Sequence, residues 1–576
     1  MYSNKENVNI LTSLLVAHGI RHAVVCPGSR NAPIVHNLNE CPDISCYPVT
    51  DERSAGFYAL GMAQALNEPV VVCVTSGSAV LNVAPAVAEA KYQHQSLIVI
   101  SADRPQQWID QLDGQTLPQP GLLASLVKKT VTLPEPVSVT IPGQAQRRYE
   151  EERWYCNRLV NEALLALPGC VHINVPITEP LFEFSVKELP RERKIERLVP
   201  GTDYDCLHPE FAAGLINAER PMIIFGQTSP HDFSGDALDF LFSHVIVLHE
   251  SLSPFPSVSH FDEVLATTNT DELLPPDFVI YVGGCIVSKR LKRFLRQVKN
   301  AQVWRISPTG DLEDTFQNLH GVIVGDAEFV LQSLNNKLSK RKAMSGMAYR
   351  RQWLHLLTEA GLHAKSYIPD YSQIAVVKAF EEQLSALLQT GDQQQSTSTH
   401  TFHVHYANSA AIRLANIYAE HHVWCNRGVN GIEGSLSTAA GFAVASGEQV
   451  FCVIGDLSFF YDQNALWNQN LQGRCLRILL LNNGTGGIFN QLPGLELSPA
   501  RDRLVAGCHQ TTAQGVCQQN GVAYCSARNF EEAQTGLRRL IHDEGGPMLL
   551  EVFTNPVADA TAVSLLTKTR AGTTSL

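Results

Sequence analysis

The chain has 576 residues, 44% of them apolar, and a formal net charge of −12. A single hydrophobic core stops growing at roughly 250–300 residues, so this length predicts several domains, most simply three. The acidic balance excludes nucleic acid as a default partner, no apolar run approaches the ~18 residues of a membrane span, and the polar start Met1-Tyr2-Ser3-Asn4-Lys5-Glu6-Asn7 has no signal-peptide core. The 14 cysteines are scattered without a Cys-x-x-Cys pair, and Cys26, Cys73 and Cys452 sit inside apolar runs. They read as reduced core residues of a cytoplasmic protein, not as disulfides or a zinc site. His403 and His405 lie in a polar tract without a ligand partner nearby.

The expected elements follow in chain order. A helix is expected over Val8–His18, a strand at Ala23–Cys26, a helix over Ala55–Leu66, a strand at Val70–Val74, a helix over Ala79–Tyr92, and strands at Leu97–Ser101 and Val171–Pro176. This alternation defines a doubly wound parallel α/β unit, assigned to residues 1–185. The charge-dense Lys187–Arg197 reads as a linker. A second α/β unit, residues 205–340, has strands at Met222–Phe225, Val245–Leu248, Phe278–Val282, Val303–Ile306 and Val322–Val324. The third unit, residues 346–576, carries a polar insertion at Thr390–Thr401, expected as a solvent loop. It continues with strands at Phe451–Ile454 and Leu476–Leu481 around a helix over Tyr461–Leu471, and closes on a strand at Met548–Phe553.

Two strand ends of the third unit carry chemistry. One apolar run ends in Gly455-Asp456-Leu457-Ser458, the next in Asn482-Asn483-Gly484. With a helix between them they form a βαβ unit, whose parallel strands put both turns at one carboxyl edge, where ligands collect. Asp456 and Asn483 there offer two oxygens to one hard cation; Mg²⁺ takes a few protein oxygens and completes its shell with ligand phosphate. The same segment also suits an ordinary helix capped by an aspartate. Far upstream, Thr50-Asp51-Glu52-Arg53 opens a small-residue helix, where a lone glutamate ordinarily serves the helix dipole.

Taken together, Glu52, Asp456 and Asn483 resemble the pattern of thiamine-diphosphate (ThDP) enzymes. There a carboxyl group meets the pyrimidine ring of the cofactor while another domain holds the diphosphate. The resemblance implies three doubly wound parallel-sheet domains of the ThDP-binding type: pyrimidine-binding at 1–185, central at 205–340, diphosphate- and Mg-binding at 346–576. Many members carry FAD centrally; here Val282-Gly283-Gly284-Cys285 is too short for a Gly-x-Gly-x-x-Gly turn, so a central domain without FAD is expected.

Basic motifs cluster at strand ends: Pro27-Gly28-Ser29-Arg30, Ser101-Ala102-Asp103-Arg104-Pro105 with Gln115 after it, Ser288-Lys289-Arg290, Asn408-Ser409 through Arg413, and Asn426-Arg427-Gly428. Each arginine alone reads as a surface or ion-pair residue. Collectively they point to substrates with several carboxylates, which a planar guanidinium pairs with bidentately. Over nearly the whole chain these motifs, with Gly431-Ile432-Glu433-Gly434, resemble the 2-succinyl-5-enolpyruvyl-6-hydroxy-3-cyclohexene-1-carboxylate synthase family of menaquinone biosynthesis. Two departures stand out: Gly114 replaces a frequent Asn, and the turn after the paired asparagines reads Gly484-Thr485-Gly486-Gly487.

The resemblance implies decarboxylation of 2-oxoglutarate and addition of the succinyl carbanion to isochorismate. It makes Glu52 the acid that activates the cofactor, with Ser29, Arg30 and Gln115 in the catalytic set. Ile432 is the apolar wedge that bends the cofactor, and Asp456, Leu457, Ser458 and Asn483 bind its diphosphate end. Asp456, Asn483 and the Thr485 carbonyl ligate Mg²⁺ or Mn²⁺. Ser409 and Arg413, with Arg427, hold the succinyl carboxylate. Ser29, Arg30, Arg104, Gln115, Lys289 and Arg290 hold isochorismate, and Ile488, Phe489 and Leu492 form an apolar wall. A homodimer or dimer of dimers is implied, with Glu52 and Asp456 of one site supplied by different subunits. Two readings compete: a ThDP enzyme for small monocarboxylates, which has less use for five basic motifs, and a non-catalytic ThDP-fold subunit, which would have lost Glu52 or Asp456.

Overall fold

Three parallel sheets organise the molecule, whose computed structural model describes residues 1–136, 144–197, 209–233, 238–268, 273–339, 346–393, 402–492 and 494–568. The first sheet contains β1 (His22–Val25), β2 (Ser45–Pro48), β3 (Val70–Val74), β4 (Leu97–Asp103), β5 (Lys129–Thr132) and β6 (Val171–Pro176), in the order β2-β1-β3-β4-β6-β5. The second contains β7 (Pro221–Phe225), β8 (Ile246–His249), β9 (Phe278–Val282), β10 (Gln302–Ser307) and β11 (Leu319–Val324), in the order β11-β10-β9-β7-β8. The third contains β12 (Phe402–Tyr406), β13 (Val423–Trp424), β14 (Gln449–Gly455), β15 (Leu476–Asn482), β16 (Ala523–Ala527) and β17 (Met548–Phe553), in the order β13-β12-β14-β15-β17-β16. Renumbered from its own first strand, the third sheet repeats the order of the first.

Helices cover both faces of these sheets, so central strands are buried all round and read as continuous apolar runs. Every residue of β3, β4 and β15 is buried. The strands without such runs are edge or polar ones. The tract holding His403 and His405 is β12, next to β14 near the middle of the third sheet. Burial drives the His405 pKa well below the ordinary histidine range, and its ring packs against Trp424 and Phe442 as an apolar side chain would.

Some elements differ from the sequence expectation. The helix expected over Ala79–Tyr92 is two helices, Ser78–Asn82 and Ala84–Tyr92, divided at Val83. Pro85 lacks an N–H and clashes with the turn before it, so it starts a helix but does not continue one. The helix expected over Tyr461–Leu471 instead spans Asp456–Tyr461 and gives way to a 3₁₀ turn at Gln463–Leu466. The break follows from Asp462, whose buried carboxylate accepts Ser437 N at 2.7 Å and Ser437 Oγ at 2.8 Å. It thereby caps the neighbouring helix Ser435–Ser446. Lys187–Arg197 is no free linker: Glu192 binds Arg153 and Asn157, and the Arg193 carbonyl accepts from Asn161, strapping the segment to the helix Gln144–Leu164. Of the expected insertion, Thr390–Gln393 end the helix Gln373–Gln393, and 394–401 lie outside the described residues, as do the domain junctions at 198–208 and 340–345.

The first and third domains share one apolar core. It is closed by the helix Glu52–Leu66 lying on Ser435–Ser446. Two glycines permit the approach: a Cβ at Gly61 would run into the Thr438 carbonyl, and one at Gly441 into the Tyr58 carbonyl.

Candidate active site

At the carboxyl edge of the third sheet, β14 and β15 run side by side with Gly455 opposite Leu481. That register delivers Asp456 and Asn483 to the same place. Asp456 Oδ1 accepts Leu457 N at 2.7 Å, and Oδ2 accepts Asn483 N at 3.1 Å and Gly484 N at 2.8 Å. Gly484 takes the left-handed conformation (φ +73°) that aims its N–H inward. Burial raises the Asp456 pKa; the Leu457 N–H, the His509 charge and the N–H groups of Gly484 and Thr485 oppose the rise. Asn483 Nδ2 donates to Asp559 Oδ2 at 2.9 Å, which leaves its Oδ1 as the end for a cation. The Asp456 carboxylate and the Asn483 amide oxygen, with the Thr485 main-chain carbonyl that the family resemblance adds, would make a hard, oxygen-only donor set. Such a set fits Mg²⁺ already carrying phosphate oxygens. Beside it, Ser458 Oγ donates to the carbonyl of Ile432, whose side chain stays 43% exposed. Ile488 and Phe489 sit half-buried on the 3₁₀ turn Gly487–Gln491, and Leu492 is exposed after it.

Glu52 stands in the first turn of its helix, capped by Asp51, whose Oδ1 accepts Arg53 N at 2.9 Å and Ser54 N at 3.4 Å. Its Oε2 accepts Asn82 Nδ2 at 3.3 Å. Burial, then the Glu52 charge, raises the Cys26 thiol, which places Glu52 beside the end of β1. Its neighbours are tied to the third domain: Arg53 Nη2 donates to Tyr461 O at 2.6 Å, and Asn464 Nδ2 to Asp51 Oδ2 at 2.9 Å.

The basic motifs fall into two clusters. In the first domain, Arg30 is buried, donating to Ile177 O and to Glu179 Oε1 at 3.0 Å each; Arg104 lies 3.7 Å from Asp113 and 4.0 Å from Glu179. Ser29 and Gln115 are exposed on the flanking loops. The second cluster joins two domains. Arg413 has its pKa lowered by burial and then by the Arg427 charge, with Asp262, Arg290 and Glu250 as further electrostatic neighbours. Ser288 caps the helix Lys289–Gln297, Arg290 pairs with Asp262, and Lys289 is exposed beside it. Ser409 adopts φ +70°, a strained conformation for a non-glycine residue. Among the described residues, the buried Nε atoms of Arg104, Arg413 and Arg427 have no hydrogen-bond partner. Unmet guanidinium donors of this kind are what an incoming carboxylate satisfies.

Several residues around these groups escaped the sequence reading. His509 Nε2 lies 3.4 Å from Asp456 Oδ2. Asp559 orients Asn483, and Glu551, fully buried, accepts Asn482 Nδ2 at 2.7 Å. Gln119 anchors the loop behind Arg104, accepting Gly77 N at 2.7 Å and donating to Ala102 O at 3.0 Å. None carries a local pattern; each acts across a long stretch of chain.

Residues 6–122 match the thiamine pyrophosphate enzyme N-terminal TPP binding domain, 246–388 the middle domain of thiamine pyrophosphate enzymes, and 406–552 their C-terminal TPP binding domain. Fold and site together define a ThDP-dependent enzyme. Across 97% of its length the chain is 43% identical to 2-succinyl-5-enolpyruvyl-6-hydroxy-3-cyclohexene-1-carboxylate synthase of Bacteroides fragilis, covering 98% of that protein. It is 41% identical to the synthase of Phocaeicola vulgatus (97% and 98% covered) and 35% identical to that of Porphyromonas gingivalis (96% and 95% covered). The chain belongs to the 2-succinyl-5-enolpyruvyl-6-hydroxy-3-cyclohexene-1-carboxylate synthase family.

Proposed function

We propose that this chain decarboxylates 2-oxoglutarate and joins the remaining succinyl unit to isochorismate, releasing CO₂ and 2-succinyl-5-enolpyruvyl-6-hydroxy-3-cyclohexene-1-carboxylate for menaquinone biosynthesis. The carrying observation is the similarity over 97% of the chain to proteins named for that product. Asp456, Asn483 and the Thr485 carbonyl would hold Mg²⁺ or Mn²⁺, with Leu457 and Ser458 against the diphosphate. ThDP, when bound, supplies the electron sink for loss of CO₂. The protein supplies the rest. Glu52 would hold a proton toward the pyrimidine ring, Ile432 would pack against the cofactor, and Ser409, Arg413 and Arg427 would seat the distal carboxylate of 2-oxoglutarate. Ser29, Arg30, Arg104, Gln115, Lys289 and Arg290 receive isochorismate, and Ile488, Phe489 and Leu492 keep water from the reacting carbons.

The arrangement acts as a homodimer or dimer of dimers in the cytoplasm, with Glu52 of one subunit serving Asp456 of the other. Among the described residues no helix is long and apolar enough to cross a membrane. The test is CO₂ release from 2-oxoglutarate with ThDP and Mg²⁺, with and without isochorismate. Turnover that requires isochorismate and yields the succinylated product supports the reading; equal turnover of pyruvate without isochorismate contradicts it.

A further inference from the structure

The helix Ala84–Tyr92 belongs to the first domain, yet its Glu89 side chain reaches into the third. Glu89 Oε1 accepts Gly428 N and Oε2 accepts Val429 N, each at 2.6 Å. Gln93 Nε2 adds a third bond to Oε1 at 2.5 Å, and Gln93 is itself fixed by Gln64 Nε2 at 2.8 Å. Glu89 is 2% exposed, so these bonds carry its whole solvation. Gly428 fits tightly: a Cβ there would stand 2.7 Å from the Glu89 carbonyl oxygen.

The loop held in this way bears two groups of the proposed site. Arg427 precedes Gly428, and its Nη1 donates to Asn408 Oδ1 at 3.0 Å. Gly431 O accepts Asn408 Nδ2 at 2.8 Å, and Ile432 O accepts the Ser458 hydroxyl. Asn408 of its own domain thus holds the loop at Asn426, Arg427 and Gly431, and the carboxylate from the first domain holds Gly428 and Val429 between them. Two adjacent N–H donors need two acceptor oxygens. A carboxylate has them, whereas an amide would set its NH₂ against one N–H.

We propose that Glu89 is a positioning residue that holds Arg427 and the Ile432 wedge in register in cis. The first domain then acts on two sites: through Glu89 on the third domain of its own chain, and through Glu52 on that of the partner. The proposal rests on the Glu52-in-trans reading above.

The test uses full-length variants, dissociated, mixed in pairs and reassembled with ThDP and Mg²⁺. Glu89→Gln alone should slow exchange of the thiazolium C2 proton by on the order of 10–100-fold, the scale of a small misplacement of reacting groups. In the cofactor-free protein, amide exchange at Gly428 and Val429 should accelerate. Mixing Glu89→Gln with Glu52→Gln should recover activity, because one heterodimer site then has an intact Glu52 and an intact loop. Mixing Glu89→Gln with Asp456→Ala should stay near the level of Glu89→Gln alone. Recovery in the second mixture but not the first would overturn the cis assignment. Unchanged C2 exchange and unchanged amide exchange would overturn the positioning role. Failure of Glu52→Gln with Asp456→Ala to recover would instead defeat the trans reading, and amide exchange at Gly428 would still decide whether Glu89 holds the loop. Should Glu89→Gln not fold, Gly428→Ala places a Cβ 2.7 Å from the Glu89 carbonyl oxygen and 3.0 Å from its Oε1 and so pushes the loop off Glu89; slowed C2 exchange and faster amide exchange at Val429 are expected, and a Gly428→Ala protein with wild-type C2 exchange would count against the proposal.

Discussion

The first and third domains share a strand order and a core, yet the corresponding strands β4 and β15 end in different polar groups. After β1 and β4 the first domain presents Ser29, Arg30 and Arg104, and neutralises the two arginines with Glu179, Asp113 and the Ile177 carbonyl oxygen. After β14 and β15 the third domain presents Asp456 and Asn483, and solvates the carboxylate with main-chain N–H groups. On the proposed reading, one scaffold would seat carboxylates in both copies and, in the third domain alone, also a cation with its diphosphate. The difference lies in the few residues after each strand. The strands after which they stand also correspond: β1 leads to Ser29 and Arg30, and its counterpart β12 leads to Ser409 and Arg413.

This division of labour can be broken from either side. The largest effect is expected at Glu52. Glu52→Gln should retain ThDP but lose ~10²–10⁴-fold in C2 proton exchange, the range for a positioned acid–base group; an unchanged exchange rate removes Glu52 from cofactor activation. Next come the arginines, where losing one partner of a buried charge pair costs about 2–5 kcal/mol. Arg413→Ala should impair the single-turnover reaction of 2-oxoglutarate alone, while Arg30→Ala should spare it and weaken isochorismate capture. Equal damage to that first step would erase the distinction between the two edges.

Two stability predictions sharpen the shared core. Gly441→Ala places a Cβ against the Tyr58 carbonyl, backbone on backbone. It should cost at least about 3 kcal/mol, the upper end of overpacking penalties, read as a lowered urea midpoint. The smallest effect concerns Asp462, whose pKa burial raises to about 6. Its folded pKa lies above the unfolded value, so its contribution is full below the ordinary carboxylate range and is lost as pH rises through about 6. Asp462→Asn keeps an oxygen for Ser437 N, and should remove a decline on the order of 1–3 kcal/mol between pH 4 and 7. Parallel stability–pH curves for the two proteins would contradict this.

The parts of this architecture legible in the sequence are those with a local cause. Apolar runs give β3, β4 and β15 because central parallel strands are buried on both faces. Gly455-Asp456 and Asn482-Asn483 are legible because polar groups directly after such runs must lie at the carboxyl edge. β12 is hidden by its two histidines, which only their neighbours Trp424 and Phe442 make suitable for a core. The helix after β14 ends at Tyr461 because Asp462 is engaged by Ser437, a contact across 25 residues that no local window contains. Glu89, Asp559 and His509 are invisible for the same reason: each acts on a residue distant in sequence, and alone each reads as a surface charge.

The central claim, that one site is assembled from the first domain of one subunit and the third domain of another, is tested most directly by mixing. Glu52→Gln and Asp456→Ala are each expected to be inactive. After dissociation and reassembly in equal amounts, their mixture should rise toward about one quarter of wild-type activity, since random pairing makes half the dimers mixed and each mixed dimer has one intact site. A mixture that stays as inactive as its components, although mass measurement shows mixed dimers have formed, would contradict the account.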